Sequence, residues 1–175
     1  MKYKYCPECG QKLVEKTAGD DGPTPFCESC GKYLFDTFPS IVLILAANEY
    51  NEIALLRQNY MSDKYDSFVS GFIKPGETAE ETAVRELREE LGLEAERMEF
   101  TGTYWFSGKG GMLVHGFIAT VKKREFRLSS EVDAARWVTA MDAPQTMFPD
   151  KDGNAMYPIY RQFIGMHGLG GGMFD

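Results

Sequence analysis

Histidine is scarce in this 175-residue chain, which has only His115 and His167. Neither belongs to a Ser-His-Asp or Cys-His arrangement, so nucleophilic catalysis of those kinds lacks its base. His115 lies in a strand pattern and reads as packing, and His167 lies near the glycine-rich end. Cysteine is missing after residue 30. Long hydrophobic runs are missing as well. The longest, Ile41 to Ala47, falls short of the roughly 20 residues that span a bilayer and suits a buried strand. Met1 to Tyr5 carries two lysines and no apolar run, unlike a secretory signal. The expectation is a cytoplasmic chain without membrane association. Positive charge is outnumbered, with 19 Lys and Arg against 26 Asp and Glu, a net charge of -7. That argues against broad binding to a nucleic-acid backbone, which favours basic surfaces. A nucleotide substrate is still compatible, because bound divalent cations reverse the local potential.

What is present is globular in composition, 43% hydrophobic and 26% charged. The cysteines form two C-x-x-C knuckles, Cys6-Pro7-Glu8-Cys9 and Cys27-Glu28-Ser29-Cys30. Each knuckle offers two thiolates from a tight turn, and Gly10 and Gly31 follow where the backbone must bend. Thiols stay reduced in the cytosol, so metal comes before disulfide. Four thiolates complete a closed tetrahedral site that suits structural zinc, and iron also accepts such a site. The closed set leaves no position for water, so the metal folds the module. Binding of nucleic acid or a partner is the alternative use. The predicted domains are a zinc ribbon at residues 1–37 and a second domain at 38–175, joined at Phe38-Pro39-Ser40, with a glycine-rich tail from about residue 165.

The second domain reads as mixed α/β. Ile41–Ala47 and Ile53–Gln58 are strand candidates around a turn at Asn48–Asn51. Further strands are predicted at Ser67–Gly71, Met98–Thr103, Met112–Val121 and Arg136–Thr139. The clearest helix is Thr78–Leu91, with Thr78 and Glu81 as a capping box and Gly92 as its stop. A last helix is predicted within Asn154–Met166, followed by a loose tail at Gly168–Asp175.

Glu86, Glu89 and Glu90 stand at i, i+3 and i+4 of the long helix, so they share a face, with Val84, Leu87 and Leu91 expected on the packing face. Three adjacent carboxylates repel one another. Magnesium, which prefers carboxylate oxygens, can hold them together. On their own they would equally make a solvated acidic face. The surrounding residues decide between these. Gly71 to Leu93 fits G-x5-E-x7-R-E-U-x-E-E-x-G-U, where U is aliphatic, without a departure.

With this run the chain resembles the Nudix hydrolases. The resemblance implies an α/β/α sandwich carrying an N-terminal zinc ribbon, and hydrolysis of a phosphoanhydride with Mg2+ or Mn2+. It assigns Glu86, Glu89 and Glu90 to the catalytic metal, with the Gly71 carbonyl assisting. It assigns Glu77 and Arg85 to a salt bridge bracing the loop–helix–loop. The order of ribbon, aromatic-proline joint, strand and box resembles the bacterial NADH pyrophosphatases. On that resemblance Glu131, six residues before Trp137, is a further catalytic and metal-binding glutamate. That group carries S-Q-P-W-P-F-P-x-S after its box. This chain has Gly102-Thr103-Tyr104-Trp105-Phe106-Ser107-Gly108, which keeps the aromatics and loses the prolines.

Tyr104, Trp105 and Phe106, with Phe72, are therefore candidates for stacking on a nucleotide base, against plain strand packing for Tyr104 and Phe106. The implied reaction is cleavage of NAD(H) to nicotinamide mononucleotide and AMP. ADP-ribose, FAD and dinucleoside polyphosphates are alternative substrates, and a non-catalytic nucleotide-sensing regulator is the alternative class. The expected partner is a small nucleotide, and homodimer assembly is an option the family offers.

Overall fold

A computed structural model describes residues 3–169, apart from the Lys109 side chain. It divides into two compact units, Met1–Phe38 and Pro39–Asp175. The first carries three antiparallel strands in the order β1 (Val14–Thr17), β2 (Pro23–Cys27) and β3 (Lys32–Tyr33). Its buried hydrophobic cluster is Cys6, Leu13, Cys27 and Leu34, with Tyr3 packed against them. Two of those four are cysteines, so little apolar core exists apart from the thiols.

The second unit is a six-stranded sheet with one helix on each face. The chain runs through β4 (Ser40–Ala47), β5 (Glu52–Arg57), β6 (Val69–Phe72), α1 (Ala79–Leu91), β7 (Ala95–Phe106), β8 (Met112–Val121), β9 (Ala134–Thr139) and α2 (Met156–Met166). The spatial order is β7-β8-β4-β5-β9, and β6 also pairs with β4. β4 is the central strand. It runs parallel to β8 along its whole length. Its other edge is shared: Ile41–Ile44 pair with β6, while Ala47 meets Ile53 of β5. This sharing brings the end of β5 and the Gly71 region of β6 to the same side of the sheet as α1.

Alternation along β4 separates two cores, because successive side chains of a strand point to opposite faces. Val42, Ile44 and Ala46 pack with Ala83, Leu87 and Leu91 of α1. Leu43, Leu45 and Ala47 pack with Ile159, Phe163 and Ile164 of α2. The α/β/α sandwich expected from the sequence is therefore the fold.

Strand β7 extends beyond the predicted Met98–Thr103 at both ends, with register shifts at Ala95/Arg97 and Phe100/Gly102. Those irregularities break the alternation on which the sequence reading relied. The turn before β5 is closed by Asn48, whose Oδ1 accepts from Tyr50 N–H at 2.9 Å, and by Asn51 at a φ of 58°. Helix α1 begins at Thr78 with both halves of the capping box and ends on Gly92 at a φ of 67°. One helix expectation needs correction. Val84 is exposed, and Ala83 takes its place beside Leu87 and Leu91. Ala83, Leu87 and Leu91 are spaced i, i+4, i+8, and this phase turns Glu90 inward as well. Residues 170–175 of the predicted tail lie outside the described residues. No helix among the described residues is long and apolar enough to cross a membrane.

Candidate metal and phosphate site

Gly71 pairs with Val42 of β4, one residue before β6 ends, and lies against Glu86 of α1. A Cβ built there would lie 2.0 Å from the carboxyl carbon of Glu86. Gly71 is not among the residues with positive φ. Close approach of the Glu86 carboxylate is therefore the reason for glycine here.

Arg85 fixes the corner between β6 and α1. Its Nε and Nη2 donate to the two carboxylate oxygens of Glu77, each at 2.8 Å, and Nη2 also donates to the Phe72 carbonyl at 3.2 Å. Glu77 accepts further from Thr82 Oγ1 at 2.9 Å and Lys74 N–H at 3.3 Å. The guanidinium, helped by these donors, holds the Glu77 carboxyl down at about 2. The fork of Arg85 also reaches Glu86 Oε1 at 2.6 Å and Glu89 Oε2 at 3.1 Å.

Glu90 sits differently. It is 4% exposed, at the inner side of the last turn of α1. Its Oε1 accepts from Gln58 Nε2 at 3.0 Å, the Ser70 backbone N–H faces the carboxylate, and Oε2 is buried without a hydrogen bond of normal geometry. Burial, with the charges of Glu86 and Glu131 nearby, pushes its pKa up to about 7. Its backbone carbonyl accepts from Ser129 N–H at 3.3 Å, which ties the loop carrying Glu131 to the helix end. Glu131 itself is exposed on that loop, with its N–H donated to Ser129 Oγ at 3.3 Å.

The four glutamates line one cleft of about 640 Å³ with Gly71, Phe72, Arg85, Tyr60, Met61, Ser129 and Ser130. The carboxylates do not converge as tightly as the cysteine thiols do. That is the arrangement like charges take when an arginine draws two of them aside. A hard cation fits the donor set: an unpartnered buried carboxylate oxygen, a flanking carboxylate in a glycine cradle, and exposed carboxylates that can swing inward.

A pH effect follows from Glu90. Its pKa is about 7 in the folded protein against an ordinary value of 4.5. Its contribution to stability is fully present below about pH 4.5 and is lost as pH rises through 7. The full loss is at most about 3 kcal/mol. In magnesium-free buffer, the wild type should therefore lose more melting temperature between pH 5 and pH 8 than Glu90→Gln does. Parallel pH profiles for the two proteins would contradict the placement of Glu90.

Of the aromatic candidates, Phe72 alone lines the cleft. Tyr104 and Phe106 pack against the core beneath α2, and Tyr104 Oη donates to the Thr101 carbonyl at 3.3 Å. Trp105 covers Gly111, where a Cβ would come within 2.4 Å of its ring. Tyr104 and Phe106 pack against the core, and Trp105 is not among the residues that line the cleft. Tyr60 and Met61 do line the cleft, although sequence reasoning overlooked them. Tyr60 is largely exposed at the cleft, and desolvation, then the charges of Glu90, Glu131 and Glu86, push its phenol up in pKa.

In the first unit the four cysteine sulfurs lie within 4.8 Å of one another. Cys6 and Cys30 sulfurs are 4.0 Å apart, and Cys9 and Cys27 sulfurs 3.5 Å. Gly10 N–H donates to Cys6 O at 2.9 Å and Gly31 N–H to Cys27 O at 2.8 Å, closing the two knuckles with positive φ at each glycine. The crowded thiols oppose one another's ionisation. The Gln11 backbone holds Cys9 down at about 7, while the other thiols push Cys30 up to about 12. A dication removes that conflict, so the cluster is compatible with zinc.

Comparison with known proteins decides the family. The NUDIX domain model matches residues 37–163. The chain belongs to the NUDIX family. It is 27% identical over 145 residues to the NAD-capped RNA hydrolase NudC of Pseudomonas entomophila, covering 82% of this chain and 50% of that one. It is 31% identical over 140 residues to Nudix hydrolase 19, chloroplastic, of Arabidopsis thaliana, covering 77% of this chain and 32% of the relative. The chain thus spans about half the length or less of these curated relatives. Among solved structures, a NUDIX hydrolase from Nitrosomonas europaea shares the fold with a TM-score of 0.68 at 20% identity, over 95% of this chain and 93% of that one. The NUDIX domain of Shewanella oneidensis NrtR, solved in complex with ADP ribose, aligns with a TM-score of 0.60 at 16% identity, over 78% of this chain and 92% of that one. Nudix hydrolases generally use divalent cations such as Mg2+ or Mn2+, consistent with a cleft lined by glutamates.

Proposed function

We propose that this protein is a pyrophosphohydrolase that cleaves the phosphoanhydride bond of a nucleoside diphosphate linked to a second moiety. The observation that carries the reading is Glu90, a buried carboxylate with one oxygen unpartnered, at the wall of a cleft shared with Glu86, Glu89 and Glu131. Burying a carboxylate costs stability unless a cation or donor meets it.

A magnesium or manganese ion held by these glutamates, with the Gly71 carbonyl assisting, would neutralise the diphosphate and activate water for in-line attack. The protein's part is to place the oxygens. The Arg85–Glu77 pair anchors the first turns of α1 against β6, and the Ser129 contact brings Glu131 to the helix end. One of the glutamates takes the proton of the attacking water. Phe72 and Tyr60 offer aromatic faces at the rim, suited to a nucleotide base.

NADH or NAD is the leading substrate, yielding nicotinamide mononucleotide and AMP. The ribbon-plus-box order and the similarity to NAD-capped RNA hydrolases support it, since an NAD cap on RNA holds the same anhydride. ADP-ribose, FAD and dinucleoside polyphosphates come next. The test is turnover across that panel with product identification. NADH or NAD is expected to be the fastest cleaved of the small molecules. Far faster cleavage of ADP-ribose or FAD would overturn the substrate and leave the reaction class standing. The second reading is a nucleotide sensor without catalysis; a domain of the same fold was solved with ADP ribose bound. It predicts binding without turnover. Zinc on the four cysteines is proposed as purely structural.

A further inference from the structure

Gln58 follows directly after β5 and is 2% exposed. Its Nε2 donates to Glu90 Oε1 at 3.0 Å, and its own Oε1 is buried without a partner. The opposite amide orientation would set a carbonyl oxygen against a carboxylate, so the N–H side faces Glu90. An apolar side chain of the same length would fill this space without stranding an oxygen. Packing alone therefore does not explain glutamine here; the hydrogen bond to a charged acceptor does.

Neighbouring contacts extend the argument. The Gln58 backbone carbonyl accepts from Met61 N–H at 2.8 Å and Ser62 N–H at 3.0 Å, which shapes the turn presenting Tyr60 and Met61. Asn59 N–H donates to Asp133 Oδ2 at 2.7 Å, so this corner also grips the segment that follows Glu131. Gln58 is thus where the end of β5, the end of α1 and the Glu131 loop are joined.

We propose that Gln58 is a positioning residue for the hydrolysis, acting through Glu90. This rests on the reading of Glu90 as a metal-site carboxylate. The amide occupies Oε1 and stops the carboxylate turning about its last bond. Oε2 is then the oxygen left for a cation. Without the amide, Glu90 keeps its burial and loses the Gln58 donor, and both its orientation and its affinity for a cation suffer.

The test compares wild type, Gln58→Met, Glu90→Gln and the double variant, reading kcat, KM, the magnesium concentration for half-maximal rate, and the thermal melt. Gln58→Met is expected to lower kcat about tenfold and raise the half-maximal magnesium concentration several-fold, with KM for the nucleotide changing less than about twofold. In the Glu90→Gln background the same substitution should cause little further loss, because the residue acts through that carboxylate. A core plug would instead lower the melting temperature and leave kcat and the magnesium response of the folded protein unchanged. That outcome, or a full additive loss in the double variant, would overturn the proposal. Should Gln58→Met fold poorly, Gln58→Leu below its melting point supplies the same readings. Near-wild-type turnover by Glu90→Gln would instead sink the underlying reading of the site, which separates the two failures.

Discussion

Glu90→Gln is expected to lower magnesium-dependent turnover by about a hundredfold or more while the protein stays folded, by analogy with loss of one preorganised electrostatic group. Glutamine has the same length and a similar helix preference. The Thr78 capping box, the Gly92 stop and the Ala83–Leu87–Leu91 face are all untouched. Gln58 can still donate to the new amide oxygen. What disappears is a charge that burial already disfavours, so the metal-free variant should melt no lower than wild type at pH 8. Catalysis loses an oxygen that holds the cation. Glu131→Gln should also lose activity, but less, because Glu131 is exposed on a loop. The measurement is steady-state turnover beside a thermal melt. A folded Glu90→Gln protein with near-wild-type turnover would reduce the three helix glutamates to a solvated acidic face.

Cys27→Ser should have the next largest effect, confined to the first unit. Purified protein is expected to carry about one zinc per chain, since four thiolates complete one closed site. Cys27 is fully buried, and it supplies both a sulfur to the cluster and a wall of the small core with Cys6, Leu13 and Leu34. Its loss therefore removes ligand and packing together, and binding energy at such a site is folding energy. Metal analysis should find zinc well below one per chain. Limited proteolysis should cut residues 1–38 quickly, while the domain from residue 39 stays protected. Full zinc loading in this variant would contradict the assignment.

The legible parts of the sequence were those set by local chemistry. The capping box, the left-handed Gly92 and the knuckle glycines each satisfy backbone groups within a few residues, so their pattern announces them. The phase of α1 was less legible. Val84 is the residue expected on the packing face with Leu87 and Leu91, and Ala83 stands there instead. The same rotation buries Glu90, which no rule about acidic residues would suggest. Gln58, Tyr60 and Met61 were missed for another reason. They lie about thirty residues from the helix glutamates and form no motif with them. Only the shared edge of β4, which carries both β5 and β6, brings them to the site. Tyr104 and Phe106 show the converse: an aromatic cluster suited to stacking on a base is absorbed by the core under α2.

The most direct test of the central claim is phosphorus NMR of the purified protein mixed with NADH, with and without magnesium. With magnesium, the diphosphate signals should be replaced by those of two monophosphates, nicotinamide mononucleotide and AMP, and chelation should stop the conversion. If the nucleotide binds but its diphosphate signals persist in magnesium or manganese, and ADP-ribose, FAD and dinucleoside polyphosphates persist likewise, the protein is not the hydrolase proposed here.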